Sequence, residues 1–209
     1  MIRGKFITFE GGEGAGKSTQ VKRLGEFLRG KGINVVQTRE VGGSPSAEAI
    51  RELWLAKGEG YWDALSELLL ISAARREHIV KTIEPALAGG AWVISDRFVD
   101  STRAYQGIGL GIGLELVDEI SQLIAPHFAP DLTLLLDLPV DVGFARVASR
   151  GGLDDRYEQK GKAFHQTLRD AYLSLALKYA QRFRVIDASR DMSAVSDAVA
   201  TAVRGYFQL

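Results

Sequence analysis

Gly11-Gly12-Glu13-Gly14-Ala15-Gly16-Lys17-Ser18 follows an apolar run, Phe6-Ile7-Thr8-Phe9, and closes a glycine-rich turn with a lysine and a hydroxyl. That spacing suits a nucleoside triphosphate. Consecutive backbone N–H groups can curl around the phosphate oxygens, Lys17 can reach the β- and γ-phosphates, and the Ser18 hydroxyl can ligate magnesium. Side chains at the glycines would block the approach. Val21, Leu24 and Leu28 follow at helical spacing, so the loop, with Thr19 in the first turn, ends on a helix N-terminus that favours anions.

Other charges stand directly after apolar runs. Arg39-Glu40 follows the run from Ile33 to Thr38, Asp96-Arg97 follows Trp92-Val93-Ile94-Ser95, and Asp137 follows Leu134-Leu135-Leu136. Any one of these alone reads as a solvated loop; their recurrence points to a site at one sheet edge. Asp96 meets the need for a magnesium-linked acid, and Asp137 competes for that role. Arg97 favours Asp96, because a planar guanidinium beside it gives the same loop a phosphate ligand, and Arg39 supplies a second. Two such arginines exceed what the triphosphate needs, so they imply a phosphorylated acceptor. Arg150 and Arg156 flank Gly151-Gly152-Leu153-Asp154-Asp155, a stretch that reads as a mobile lid over residues 150–161. Cations arriving on closure would stabilise a transferring phosphoryl group. The alternative is that they pair with Asp154, Asp155 and Glu158 on an exposed loop.

The elements positioning these residues alternate in type. Short apolar runs at Lys5 to Glu10, Ile33 to Thr38, Ala91 to Ser95, Leu132 to Leu136 and Phe183 to Ile186 predict five strands. Helical patterns occupy Gly16 to Gly30, Pro45 to Ala56, Trp62 to Ala88, Leu114 to Ala125, Val140 to Ser149, Ala163 to Arg182 and Ser193 to Phe207. The alternation predicts an α/β fold with a mostly parallel sheet covered by helices on both faces, in a single domain spanning residues 1–209. With 26 basic and 26 acidic residues, the chain lacks the basic excess of a nonspecific nucleic-acid binder. The absence of cysteine excludes disulfides, thiolate metal sites and cysteine nucleophiles. Without a signal-like leader or an apolar run of spanning length, the expectation is a soluble cytoplasmic protein with no membrane partner.

Taken together the motifs resemble the bacterial thymidylate kinases, nucleoside monophosphate kinases of the P-loop fold. The resemblance runs nearly end to end. It rests on Glu13 in the loop, Thr38-Arg39-Glu40 before Gly42-Gly43, Ala73-Ala74-Arg75, Asp96-Arg97-Phe98, and Ser101-Thr102 with Ala104-Tyr105-Gln106-Gly107. It implies magnesium-dependent transfer from ATP to dTMP, giving dTDP for dTTP synthesis, by a homodimer. Arg97 and Arg39 would hold the dTMP phosphate, and Arg75, Thr102 and Gln106 would face the thymine edge. Gln106 carries both a donor and an acceptor, and Arg75 can donate to a carbonyl, which suits that base. Periodicity does not separate Arg75 from Arg76, since each follows an apolar residue by one heptad; the resemblance selects Arg75. Tyr105 would pack where a ribose 2′-hydroxyl would project, with core packing as its ordinary alternative, and Glu13 would approach the sugar 3′-hydroxyl.

An arginine-free loop with lid arginines is similar to the bacterial subtype whose lid supplies the catalytic cation. Two positions depart from the pattern: Val41 stands where proline is common, and Ile71 where a phenylalanine commonly stacks on thymine. Another P-loop nucleoside or nucleotide kinase with different base recognition shares the scaffold. A GTP-dependent switch would need an Asn-Lys-x-Asp motif, which does not occur.

Overall fold

The computed structural model describes residues 2–56, 61–149, 157 and 160–209. Within it β1 (Phe6–Glu10), β2 (Val35–Arg39), β3 (Trp92–Asp96), β4 (Leu132–Asp137) and β5 (Phe183–Asp187) form a parallel sheet in the order β2-β3-β1-β4-β5. Parallel strands covered on both faces need continuous apolar runs, and β1 is buried along its whole length. Ile7 and Phe9 point into a core closed by Leu24, Leu28 and Val199. On the opposite side Leu135 packs with Ile71, Tyr105, Leu168 and Leu175, and Phe6 packs with Ile83 and Phe98.

Register brings the charged strand ends together: Arg39 pairs with Asp96, Phe9 with Asp96, and Asp137 with Asp187. β2 to β5 each run one residue beyond the predicted end, so Arg39, Asp96, Asp137 and Asp187 are the last residues of strands rather than the first of loops. Because the chain order reverses about β1, the crevice beyond that strand is where a ligand meets the sheet.

Helices α1 (Lys17–Gly30), α2 (Pro45–Leu55), α3 (Ala64–His78) and α4 (Glu84–Ala88) precede β3. The single helix predicted from Trp62 to Ala88 begins at Ala64, where the Asp63 carboxylate accepts from the N–H groups of Leu65 and Ser66, each at 3.1 Å. It passes through a π-helical segment, Ile79–Ile83, before α4. The segment after β3 is a correction: α5 (Val99–Thr102) continues into a π-helical stretch, Arg103–Gly109, where the sequence pattern predicts no helix. α6 (Leu114–Ile124), α7 (Val140–Ala148), α8 (Lys162–Lys178) and α9 (Met192–Phe207) complete the described elements. α8 ends at Lys178, short of the predicted Arg182.

Candidate active site

The loop after β1 lies against the chain that follows β4. A Cβ on Gly11 would sit 2.5 Å from the Leu136 carbonyl oxygen, and one on Gly14 would sit 2.5 Å from that of Gly143. Gly11 and Gly14 also take φ of 137° and 71°, so the tight turn requires glycine twice over. Ala15, within the loop, is buried, and Gly16, at φ 86°, is the residue that precedes α1. Lys17 Nζ donates to the carbonyl oxygens of Gly11 at 3.1 Å and Gly12 at 2.8 Å. Burial, then the neighbouring Arg97 charge, lowers its pKa. Ser18 Oγ donates to Asp96 Oδ2 at 2.6 Å, which joins the two residues expected at magnesium. A hydroxyl and a carboxylate oxygen are hard ligands that suit this ion, which binds with few protein groups beside phosphates and water. Asp137 is engaged elsewhere: both its oxygens accept from Arg169, at 2.7 and 2.8 Å, linking β4 to α8.

Arg97 stands where the loop meets the rest of the site. It holds φ at 70°, a left-handed conformation uncommon for a side-chain-bearing residue and found preferentially at functional positions. Its Nη2 donates to Glu13 Oε1 at 2.5 Å and to the Tyr105 hydroxyl at 3.2 Å. Its Nη1 donates to the Gly11 carbonyl oxygen at 3.2 Å, and to the Ser101 and Tyr172 hydroxyls, each at 3.1 Å. The Tyr105 hydroxyl donates to the same Glu13 oxygen at 2.7 Å. Burial opposes the charge on Glu13, but Arg97, then Lys17, brings its carboxyl down to about 2. Of the four residues that the resemblance sends to phosphate and sugar, Arg97, Glu13 and Tyr105 are thus one connected group, and Arg39 is not part of it.

Behind them lies Glu10, fully buried at the end of β1. Its carboxylate accepts from the Phe98 N–H at 2.8 Å and the Ser101 hydroxyl at 2.5 Å, and so orients the segment carrying Arg97. Burial, then the Asp100 charge, pushes the Glu10 carboxyl up to about 8. Between its ordinary value of 4.5 and about 8, the folded protein retains a proton that the unfolded chain has released. Stability therefore falls as pH rises through that window. Glu10→Gln is expected to flatten the slope in thermal melts recorded across it; an unaltered slope would remove Glu10 as its source.

From this junction a cavity of about 340 Å³ extends away from Gly16, Lys17, Ser18 and Thr19 toward Ile71, Arg75, Thr102, Tyr105 and Gln106. That volume lies in the range of small-molecule sites. Arg75 is buried; its Nε donates to Glu40 Oε2 and its Nη2 to Thr102 Oγ1, each at 2.8 Å. Its Nη1 is buried with no partner among the described residues. Burial opposes the Glu40 charge, yet Arg75 and His78 hold its carboxyl below the usual range. His78 Nδ1 lies 3.0 Å from Glu40 Oε1, and its Nε2 lies 2.6 Å from Thr38 Oγ1. Arg76 is placed differently, donating to the Ile124 carbonyl oxygen at 2.9 Å, so it ties α3 to α6. Geometry therefore separates the two arginines that periodicity could not.

Arg39 also lines the cavity but lies exposed, donating to Glu48 Oε2 at 3.0 Å. Ile71 is buried at the cavity wall, and Val41, whose peptide bond with Glu40 is cis, is buried beside it. Arg150 and Arg156 lie outside the described residues, as do most of residues 150–161. The sequence reading missed Glu10, Glu67, His78, Tyr157 and Tyr172. Glu67 carried a signal: it precedes Ile71 by four residues and Arg75 by eight, on the same helical face.

The chain matches the family model described as Thymidylate kinase over residues 9–199. It is 49% identical to a thymidylate kinase of Caulobacter vibrioides, covering 97% of each chain. To that of Ruegeria pomeroyi it is 50% identical, covering 96% of this chain and 94% of the relative. It also resembles the crystal structure of thymidylate kinase from Ehrlichia chaffeensis, with a TM-score of 0.79 and 37% identity, covering 97% of this chain and 99% of that one. By sequence, extent and fold, the chain belongs to the thymidylate kinase family.

Proposed function

We infer that the protein phosphorylates dTMP to dTDP with ATP, in the supply of dTTP. The observation that carries this reading is the continuity of one cavity, with the phosphate loop at one end and buried Arg75, Thr102 and Gln106 at the other. A triphosphate on the loop and an acceptor in the cavity would meet near Arg97. The dTMP phosphate oxygen attacks the γ-phosphorus, a new P–O bond forms, and the bond to the β-phosphate oxygen breaks, releasing ADP.

Lys17 holds the transferring group, while Arg97 and Arg39 hold the acceptor phosphate against it. Ser18 and Asp96 would hold magnesium, which neutralises charge on the β- and γ-phosphates when bound. Tyr105 closes the space beside the sugar, and Glu13 stands near its 3′-hydroxyl. Arg150 and Arg156 are the cations this reading assigns to the closed state.

A panel of nucleoside monophosphates, assayed by ADP release with magnesium and ATP, tests the reading. Turnover should be fastest with dTMP. Release no faster with dTMP than with dCMP, dAMP and dGMP would sink it. Among the described residues, no helix is long and apolar enough to cross a membrane; we assign the reaction to the cytoplasm. We also propose that the protein is a homodimer. Leu65 and Leu69 stand exposed four residues apart on α3, a face suited to a second copy. Sedimentation at the mass of one chain would contradict it.

A further inference from the structure

Gln106 and Arg75 line one end of the cavity, and a buried carboxylate outside it decides which way the Gln106 amide faces. Gln106 Nε2 donates to Glu67 Oε1 at 2.7 Å and to the Tyr157 hydroxyl at 3.0 Å. The Tyr157 hydroxyl in turn donates to the same Glu67 oxygen. A primary amide has two N–H donors, and these partners take both. Glu67, at 1% exposure, gives an amide oxygen nothing to accept from. Turning the Gln106 amide over would set its oxygen against that carboxylate, so Oε1 is what remains for the cavity that Gln106 lines. No described residue donates to it. Arg75 is the complement: it lines the same cavity and carries only donors, held in place by Glu40 on Nε and Thr102 on Nη2.

We propose that Glu67 is a positioning residue for base selectivity: by fixing the Gln106 amide, it makes the cavity accept from a pyrimidine ring N–H while Arg75 donates to the adjacent carbonyl. The proposal rests on the reading of this cavity as the acceptor site. Thymine presents that order, a carbonyl oxygen beside a ring N–H. Cytosine reverses both, presenting an amino group and a bare ring nitrogen, so it would face donor against donor and acceptor against acceptor. Glu67 is not among the residues lining the cavity and reaches it through Gln106 and Tyr157, which are. Tyr157 is the second latch. Its ring stacks on Phe164 with planes 14° apart, and its carbonyl oxygen lies 3.0 Å from His165 Nε2.

The test is Glu67→Gln in the full chain, assayed with dTMP and dCMP. A glutamine at this position can donate as well as accept, so the Gln106 amide is free to adopt either orientation. The ratio of kcat/KM for dTMP over dCMP is expected to fall on the order of tenfold, through KM for dTMP, with kcat within about twofold of wild type. An unchanged ratio overturns the proposal. Gln106→Leu separates the two levels. If it collapses the ratio while Glu67→Gln leaves it intact, only the role of Glu67 fails; if neither variant moves it, the acceptor-site reading fails as well.

Should Glu67→Gln not fold, the wild-type protein still decides. Both side-chain amide protons of Gln106, assigned by their loss in Gln106→Leu, should exchange slowly with solvent before any nucleotide is added. Rapid exchange of either proton overturns the proposal.

Discussion

Lys17→Ala is expected to lower kcat by a factor on the order of 10³ while leaving the fold intact by circular dichroism. The size follows from where the ammonium sits. It is buried between the Gly11 and Gly12 carbonyl oxygens, with burial and Arg97 both working against its charge. A cation held under those conditions is poorly solvated in the free protein, and a phosphate arriving on the loop meets it without the screening of bulk water. Single-turnover measurement of ADP formation checks the effect on chemistry rather than on release. Wild-type turnover in Lys17→Ala would mean that the loop does not hold the transferring group.

Arg97→Ala should damage both activity and stability. Its guanidinium bonds Glu13, Tyr105, Tyr172, Ser101 and the Gly11 carbonyl oxygen, so its removal leaves the largely buried Glu13 carboxylate without its cation. Breaking such a pair costs about 3–5 kcal/mol. For a chain of this size, that corresponds to a fall in Tm of roughly 10 °C. The acceptor phosphate also loses a ligand, and kcat/KM for dTMP should fall by about 10² or more. Calorimetry and kinetics on Arg97→Ala and on the double variant Glu13→Gln, Arg97→Ala separate the two effects. The double variant removes the stranded charge and should recover stability but not activity. Recovery of both would assign Arg97 a purely structural role.

The strongest sequence signals were those with short, local causes. The phosphate loop could be read because its glycines are forced by φ and by close approach at Gly11 and Gly14, constraints confined to a few consecutive residues. The strand ends could be read because a parallel sheet buried on two faces demands unbroken apolar runs, so the first charge after each run marks an edge. The helix over residues 99–109 could not be read in that way. It turns polar residues inward, Thr102, Tyr105 and Gln106 among them, and its π-helical stretch departs from the 3.6-residue spacing that a periodicity reading detects. Tyr172 and Glu10 were missed for a different reason. They meet across 162 positions of sequence, at 3.5 Å, and only tertiary structure brings them to Arg97. The choice between Asp96 and Asp137 rested on Arg97 alone, and it is tertiary structure that puts Ser18 on one carboxylate and Arg169 on the other.

A cavity that holds a triphosphate and dTMP together should pass the phosphoryl group directly from one to the other. Running the acceptor panel with ATP labelled at the γ-phosphate and identifying the labelled product reads that transfer. The label should appear in dTDP, require magnesium, and form faster with dTMP than with dCMP, dAMP or dGMP. Label recovered only as inorganic phosphate, at a rate indifferent to dTMP, would contradict the account.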